Sequence, residues 1–267
     1  MSNRVRLSVL GCVALGGCYT AGPAPAITFI AHDFGYEMPA RIPAGLVRLR
    51  LVNRGAEVHE GMLTRLTGGT ASAAGYVDSV RAGVNFPAYA TDVGGPGLSA
   101  AGDSSTVWLN LEAGRYAVIC WKGDHLRRGM AHDLEVIDSA SLGPVPLLPQ
   151  PSATVTLADY AFGVSAALRP GRQLIHLRND GTEPHEADLF RLPEGVTVKD
   201  YIRWVEAGET GTPPAEPVGG IGDLAPGREI WLEVTLSPGR YFWFCEVPGP
   251  DGKSHFEKGM VSEFVVD

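Results

Sequence analysis

The chain carries one pattern written twice. Residues 27 to 137 and 155 to 267 show the same order of features at an offset of about 126 residues, so the fold must be one that repeats. Asn53-Arg54-Gly55-Ala56-Glu57-Val58-His59-Glu60 answers to Asn179-Asp180-Gly181-Thr182-Glu183-Pro184-His185-Glu186. Val93-Gly94-Gly95 answers to Val218-Gly219-Gly220, Gly114-Arg115-Tyr116 to Gly239-Arg240-Tyr241, and Arg128-Gly129-Met130 to Lys258-Gly259-Met260. Between the copies, Pro144, Pro146 and Pro149 fall in an uncharged stretch that reads as an extended linker. The organisation expected is a leader at 1–17, a domain at 24–137, a proline-rich linker at 138–152 and a second domain at 153–267. A length of 267 residues suits two domains with independent cores.

Within each copy the apolar residues alternate as in strands. Thr106-Val107-Trp108-Leu109-Asn110-Leu111 and Tyr116-Ala117-Val118-Ile119-Cys120 have counterparts in Ile230-Trp231-Leu232-Glu233-Val234 and Tyr241-Phe242-Trp243-Phe244-Cys245. The 34 glycines and 20 prolines punctuate such strands better than they would long helices. One exception recurs after the first histidine of each copy. Tyr76/Val77/Val80/Val84 and Val198/Tyr201/Ile202/Val205 have helical spacing and predict one short amphipathic helix per domain. The fold class expected is all-β: two tandem β-sandwiches of about seven or eight strands, each with one inserted helix.

The N-terminus reads as an address. Arg4 and Arg6 precede the apolar run Leu7 to Leu15, which has the form of an export signal and is too short to span a bilayer. It ends in Leu15-Gly16-Gly17-Cys18, which resembles the bacterial lipobox and implies that Cys18 becomes a lipid-modified first residue, anchoring an exported protein to a membrane of the cell envelope. The net charge of −8 argues against nucleic acid as a partner.

Of the four cysteines, Cys12 leaves with the leader and Cys18 is the lipid candidate, so Cys120 and Cys245 remain in the folded body. A disulfide between them is one reading. Their surroundings offer another. Each copy has one histidine far upstream, then Cys, His and Met close together: His59, Cys120, His125 and Met130 in the first, His185, Cys245, His255 and Met260 in the second. The spacings are Cys-x4-His-x4-Met and Cys-x9-His-x4-Met, and the distance along the chain from first His to Cys agrees to within one residue. A thiolate, two imidazoles and a weak thioether are the donors of a blue-copper site, since sulfur stabilises Cu(I) and imidazole suits Cu(II).

These runs, with the upstream Asn-x-Gly-x-x-x-His, resemble the plastocyanin/azurin group, the cupredoxins. The resemblance implies a Greek-key β-sandwich, one type 1 copper per domain, and electron transfer to and from a redox protein such as a cytochrome or an oxidase. It also implies that His125 and His255 lie at the solvent edge, ringed by Trp121 and Leu126 or by Pro248 and Phe256. Glu60 and Glu186 stand where family members often have an asparagine that braces the cysteine loop. The longer second loop resembles that of copper nitrite reductases.

Counting argues against a copper enzyme. With seven histidines in all and four already used, the trinuclear centre of a multicopper oxidase cannot be supplied, and no histidine flanks Cys120 or Cys245. The His-Glu pairs lack a second histidine four residues on and are not zinc-protease motifs. His32, His132 and His176 have no histidine counterpart in the other copy and are read as surface or strand residues. The sequence therefore points to a membrane-tethered electron carrier with no catalytic residues and no small-molecule substrate. A copper-handling protein that passes no electrons, and a metal-free scaffold used for binding, stand as alternatives.

Overall fold

The computed structural model describes residues 24–138, 148 and 150–267. The leader, the lipidation candidate Cys18 and most of the linker lie outside the described residues. No described helix is long and apolar enough to cross a membrane.

The first half contains β1 (Ala26–His32), β2 (Gly35–Glu37), β3 (Arg41–Pro43), β4 (Gly45–Asn53), β5 (Met62–Leu66), α1 (Ala73–Arg81), β6 (Ala90–Asp92), β7 (Ser104–Leu111), β8 (Gly114–Ile119) and β9 (Ala131–Ile137). The second contains β10 (Ala153–Ala158), β11 (Ala161–Val164), β12 (Gly171–Asn179), β13 (His185–Leu192), α2 (Val198–Glu206), β14 (Glu216–Leu224), β15 (Glu229–Leu236), β16 (Gly239–Phe244), a 3-10 turn at His255–Lys258, and β17 (Val261–Val266). Alternation decides which face each strand buries: Ile230, Leu232, Val234 and Leu236 of β15 point into the core, as do Val47, Leu49 and Leu51 of β4. Each half is a β-sandwich with one helix, the all-β architecture expected. The first half has an outer sheet β3-β9-β8-β5-β6 and the second an outer sheet β14-β13-β16-β17. Both first strands pair parallel with a strand further on, β1 with β4 and β10 with β12, so neither half is a simple meander.

The helices start where local chemistry allows. Ser72 caps α1 by accepting the Gly75 N–H, and Thr197 and Asp200 form a reciprocal capping box on α2. Tyr76, Val77 and Val80 of α1 are buried as their spacing predicts. Val84 is not: it lies beyond the end of α1 and is 49% exposed.

The expectation of two independent cores is corrected. The inner layers of the two sandwiches are one eight-stranded sheet, ordered β11-β10-β12-β15-β7-β4-β1-β2, joined by antiparallel pairing of β15 with β7. One apolar cluster runs through both halves, holding Phe29, Leu49 and Val107 with Leu177, Leu232 and Trp243. The physical reason is that each sandwich alone would leave β7 or β15 as a bare edge, and the repeat lets each edge cover the other. The join is a local two-fold. The Gly114/Gly239 match makes Val107 equivalent to Leu232, and these two residues are paired across the seam. A second contact obeys the same axis: Gly97 N–H donates to Gly220 O at 3.1 Å, and Gly222 N–H donates to Gly95 O at 3.2 Å. A Cβ on Gly97 would sit 2.6 Å from the Gly220 carbonyl carbon, so glycine is required for this approach.

Candidate metal centre

Each donor group is assembled by two neighbouring strands of an outer sheet and the loops that leave them. In the first half Cys120 follows directly on β8, His125 lies on the ensuing turn, and Met130 precedes β9. Cys120 N–H donates to Met130 O at 3.3 Å and Met130 N–H to His125 O at 2.9 Å, closing the loop on itself. In the second half Cys245 follows β16, His255 opens the 3-10 turn, and Met260 N–H donates to His255 O at 2.9 Å. The upstream histidines arrive from next door: His59 lies just before β5 and His185 begins β13. Both are set by the Asn-x-Gly turn. Asn53 accepts the Gly55 N–H and donates to the carbonyls of Glu57 and Ser99, and Asn179 makes the matching bonds to Gly181, Glu183 and Leu224.

The structure brings the sulfur and both imidazoles together in each half. In the first, Cys120 Sγ is 3.4 Å from His125 Nδ1 and 4.0 Å from His59 Nδ1, and the two Nδ1 atoms are 3.1 Å apart. In the second the corresponding distances are 3.4, 4.0 and 2.9 Å, for Cys245, His255 and His185. Met130 and Met260 are fully buried in the apolar cluster that contains both cysteines. Among the described residues these are the two groups of His, Cys, Asp and Glu gathered closely enough to hold a metal ion. Cys120 and Cys245 are free thiols, so the disulfide reading is not what the structure has. The remaining histidines stay apart: His32 faces Glu37, His132 bonds the Asp133 carbonyl, and His176 stacks on Trp231 at 4.7 Å.

Carboxylates hold the outer nitrogens. His59 Nε2 bonds Asp33 Oδ1 at 3.0 Å and His125 Nε2 bonds Glu57 Oε2 at 2.9 Å. His185 bonds Asp159 at 2.6 Å, and His255 bonds Glu183 at 2.9 Å. A proton on each Nε2 leaves the Nδ1 lone pair turned inward. Burial lowers the pKa of His59, His185 and His255 despite these carboxylates, which keeps the rings neutral as metal ligands must be. The carboxylates shift in turn: the His59 bond pulls Asp33 below its usual range, and Asp159 is held low because its bonds to Thr182 and His185 outweigh burial. Burial, with Glu60 or Glu186 adding to it, pushes both thiols well above the usual cysteine range. Lone pairs facing each other at about 3 Å repel unless a proton or a metal ion lies between them, and metal binding favours loss of the proton from a buried thiol. The residues present therefore fit a type 1 copper ion in each half, with sulfur and imidazole donors and a methionine following on the same loop.

Sequence reasoning missed Asp33 and Asp159, although they are matched across the repeat, and assigned no role to Glu57 and Glu183. It also placed His125 and His255 at the solvent edge; they are 3% and 0% exposed. Their outer edges meet a carboxylate and an aromatic ring each. Phe34 meets His125 edge-on at 5.3 Å and carries the Arg128 guanidinium over its ring, while Tyr160 lies 4.9 Å from His255 and donates to Glu183. Glu60 and Glu186 do brace the cysteine loops: Glu60 accepts the Trp121 N–H at 2.5 Å and Glu186 accepts the Glu246 N–H.

Neither a family model nor a curated protein matches the sequence. Among solved structures, a dithionite-reduced auracyanin from Roseiflexus castenholzii is 20% identical, covering 43% of this chain and 99% of its own, with a TM-score of 0.30. Auracyanin A, a blue copper protein from Chloroflexus aurantiacus, is 24% identical over 43% of this chain and 100% of its own, with a TM-score of 0.32. A copper-containing nitrite reductase from Thermus scotoductus is 13% identical over 92% of this chain and 68% of its own, with a TM-score of 0.26.

Proposed function

We propose that the chain is an electron-transfer protein carrying one type 1 copper in each half and held at a membrane of the cell envelope through a lipid on Cys18. The observation that supports the carrier reading is the twofold occurrence of a buried thiol and two inward-turned, carboxylate-anchored imidazoles in a stiff sheet framework. The chemistry supplied on copper binding is a one-electron couple shared between a soft sulfur and two imidazoles. The chain's own residues do the rest. Asp33, Glu57, Asp159 and Glu183 fix the imidazole orientation, and Glu60 and Glu186 fix the backbone after each cysteine. Burial excludes water from the donors, so little has to rearrange when charge changes. Nothing among the donors is arranged to activate a substrate, and the role is carriage rather than catalysis.

Glu57, whose side chain is 51% exposed, gives the covered edge of His125 an acidic face. A redox partner with a basic docking surface matches that face, and association would slow as salt screens the attraction. The test is copper loading of the full chain. Two coppers per chain and an intense visible charge-transfer band are expected, with Cys120→Ser and Cys245→Ser each removing one copper and about half of the band. Tight copper binding without colour would instead mean copper handling, and no uptake would mean a metal-free scaffold. Anchoring is checked separately by membrane fractionation of Cys18→Ser, which should release the protein.

A further inference from the structure

At the seam between the halves lies a half-open cavity of about 260 Å³ that none of the eight candidate donors lines. Glu60, Glu186, Asp188, Asp223 and Glu246 line it, and Lys122 is the one basic residue among its lining residues. That ammonium is already paired at 2.5 Å with Glu209, a sixth carboxylate on the lining, which leaves the other five with no further basic residue among the lining residues. Asp188 is 5% exposed, and its Oδ1 is buried with no hydrogen-bond partner. The repeat shows that this chemistry is not needed to fold the seam. Asp188, Asp223 and Glu246 occupy the positions that Met62, Leu98 and Trp121 fill in the first half, and those are packed apolar side chains. Acids were placed where the same architecture accepts hydrocarbon.

We infer that this cavity is a divalent cation site, with calcium as the ion that its oxygen donors suit. Carboxylates that share a partly buried pocket with one already paired ammonium are stabilised by protons or by a cation. Protons alone leave the buried Asp188 Oδ1 without a partner, which is costly, whereas a cation satisfies it directly. Carboxylate oxygens select hard ions over copper, and calcium accepts irregular shells of six to eight oxygens where magnesium demands a tight octahedron. The carboxylates are not drawn together as closely as the His and Cys donors. The ion therefore keeps part of its water, for which the volume leaves room at about 30 Å³ per molecule. Burial together with neighbouring carboxylates holds Asp188 and Asp223 far above the usual carboxylate range, the sign of a site wanting positive charge. Glu60 and Glu186 also grip the backbone after Cys120 and Cys245, so a cation here touches the framework of both donor groups, yet its binding does not depend on copper.

Titration of the copper-free full chain with calcium chloride, at about 0.15 M salt to screen exposed acids, tests this by calorimetry and thermal melting. One calcium per chain with a Kd of the order of 10⁻⁴ M or tighter is expected, with a rise in melting temperature. Asp188→Asn and Asp223→Asn should each weaken binding by about tenfold or more while circular dichroism stays that of the wild type. Absence of binding at millimolar calcium overturns the inference. So does wild-type affinity in both variants, which would place the ion on the surface. If a variant fails to fold, the wild-type stoichiometry and the other variant decide.

Discussion

Asp33 and Asp159 decide which nitrogen of His59 and His185 faces inward, and they do so from loops that the Asn-x-Gly turns bring close. A Cβ on Gly55 would lie 2.7 Å from His59 Nε2 and closer still to Asp33 Oδ1, and Gly181 stands in the same relation to His185 and Asp159. Gly55→Ala should therefore cost the first site its copper while the second keeps it, read as loss of one copper per chain by elemental analysis. Asp33→Asn leaves the shape but removes the charge that anchors the ring; copper affinity of the first site should drop about 10- to 100-fold, measured by competition with a chelator. The donor residues themselves were legible because they are chemically distinctive and occur twice in one order. Their carboxylate partners were not, since an aspartate is an ordinary surface residue until the fold places it at 3.0 Å from a buried imidazole.

Edges matter most at the scale of the elements. Strand β7 is an interior strand only because β15 lies beside it, and Val107 sits on the local two-fold opposite Leu232. A chain ending at residue 138 would expose β7, and two such fragments can pair along it just as β7 pairs with β15. The isolated first half should run as a dimer or larger species in sedimentation, and a Val107→Pro change, which breaks the ladder, should lower the melting temperature of the full chain. Strands β7, β8, β15 and β16 and both helices were legible from alternation and spacing. The pairing of β7 with β15 was not, since alternation says which face is buried and nothing about which strand lies alongside.

Across the whole molecule, the buried acids and the paired acids act in opposite directions on stability. Burial drives Asp92 up to about 6 and, with neighbouring carboxylates adding to it, raises Asp188 and Asp223 well above the usual carboxylate range, so the folded copper-free chain binds protons that the unfolded chain has released. That contribution is complete below about pH 4 and is lost as pH rises through 6 and beyond. For Glu233, burial is outweighed by bonds from Arg48, Trp108 and Arg172, which bring it to about 2. Its contribution is present above about pH 4.5 and is lost as pH falls toward 2. Taken together, these acids should make melting temperature peak at about pH 4 to 4.5 and decline on both sides; a steady rise up to pH 8 would contradict the buried-acid account. Calcium at pH 8 should recover part of the alkaline loss.

Sequence by itself determined the repeat, the faces of the alternating strands and the eight candidate sulfur and nitrogen donors, because periodicity and donor chemistry are properties of residues in order along one chain. Tertiary structure alone decided that the two halves share a sheet, that carboxylates hold the outer nitrogens of the histidines, and that acids from both halves line one cavity at the seam. Those outcomes depend on which surfaces touch, and the residues concerned are far apart in the chain and unremarkable until an interface removes the water between them.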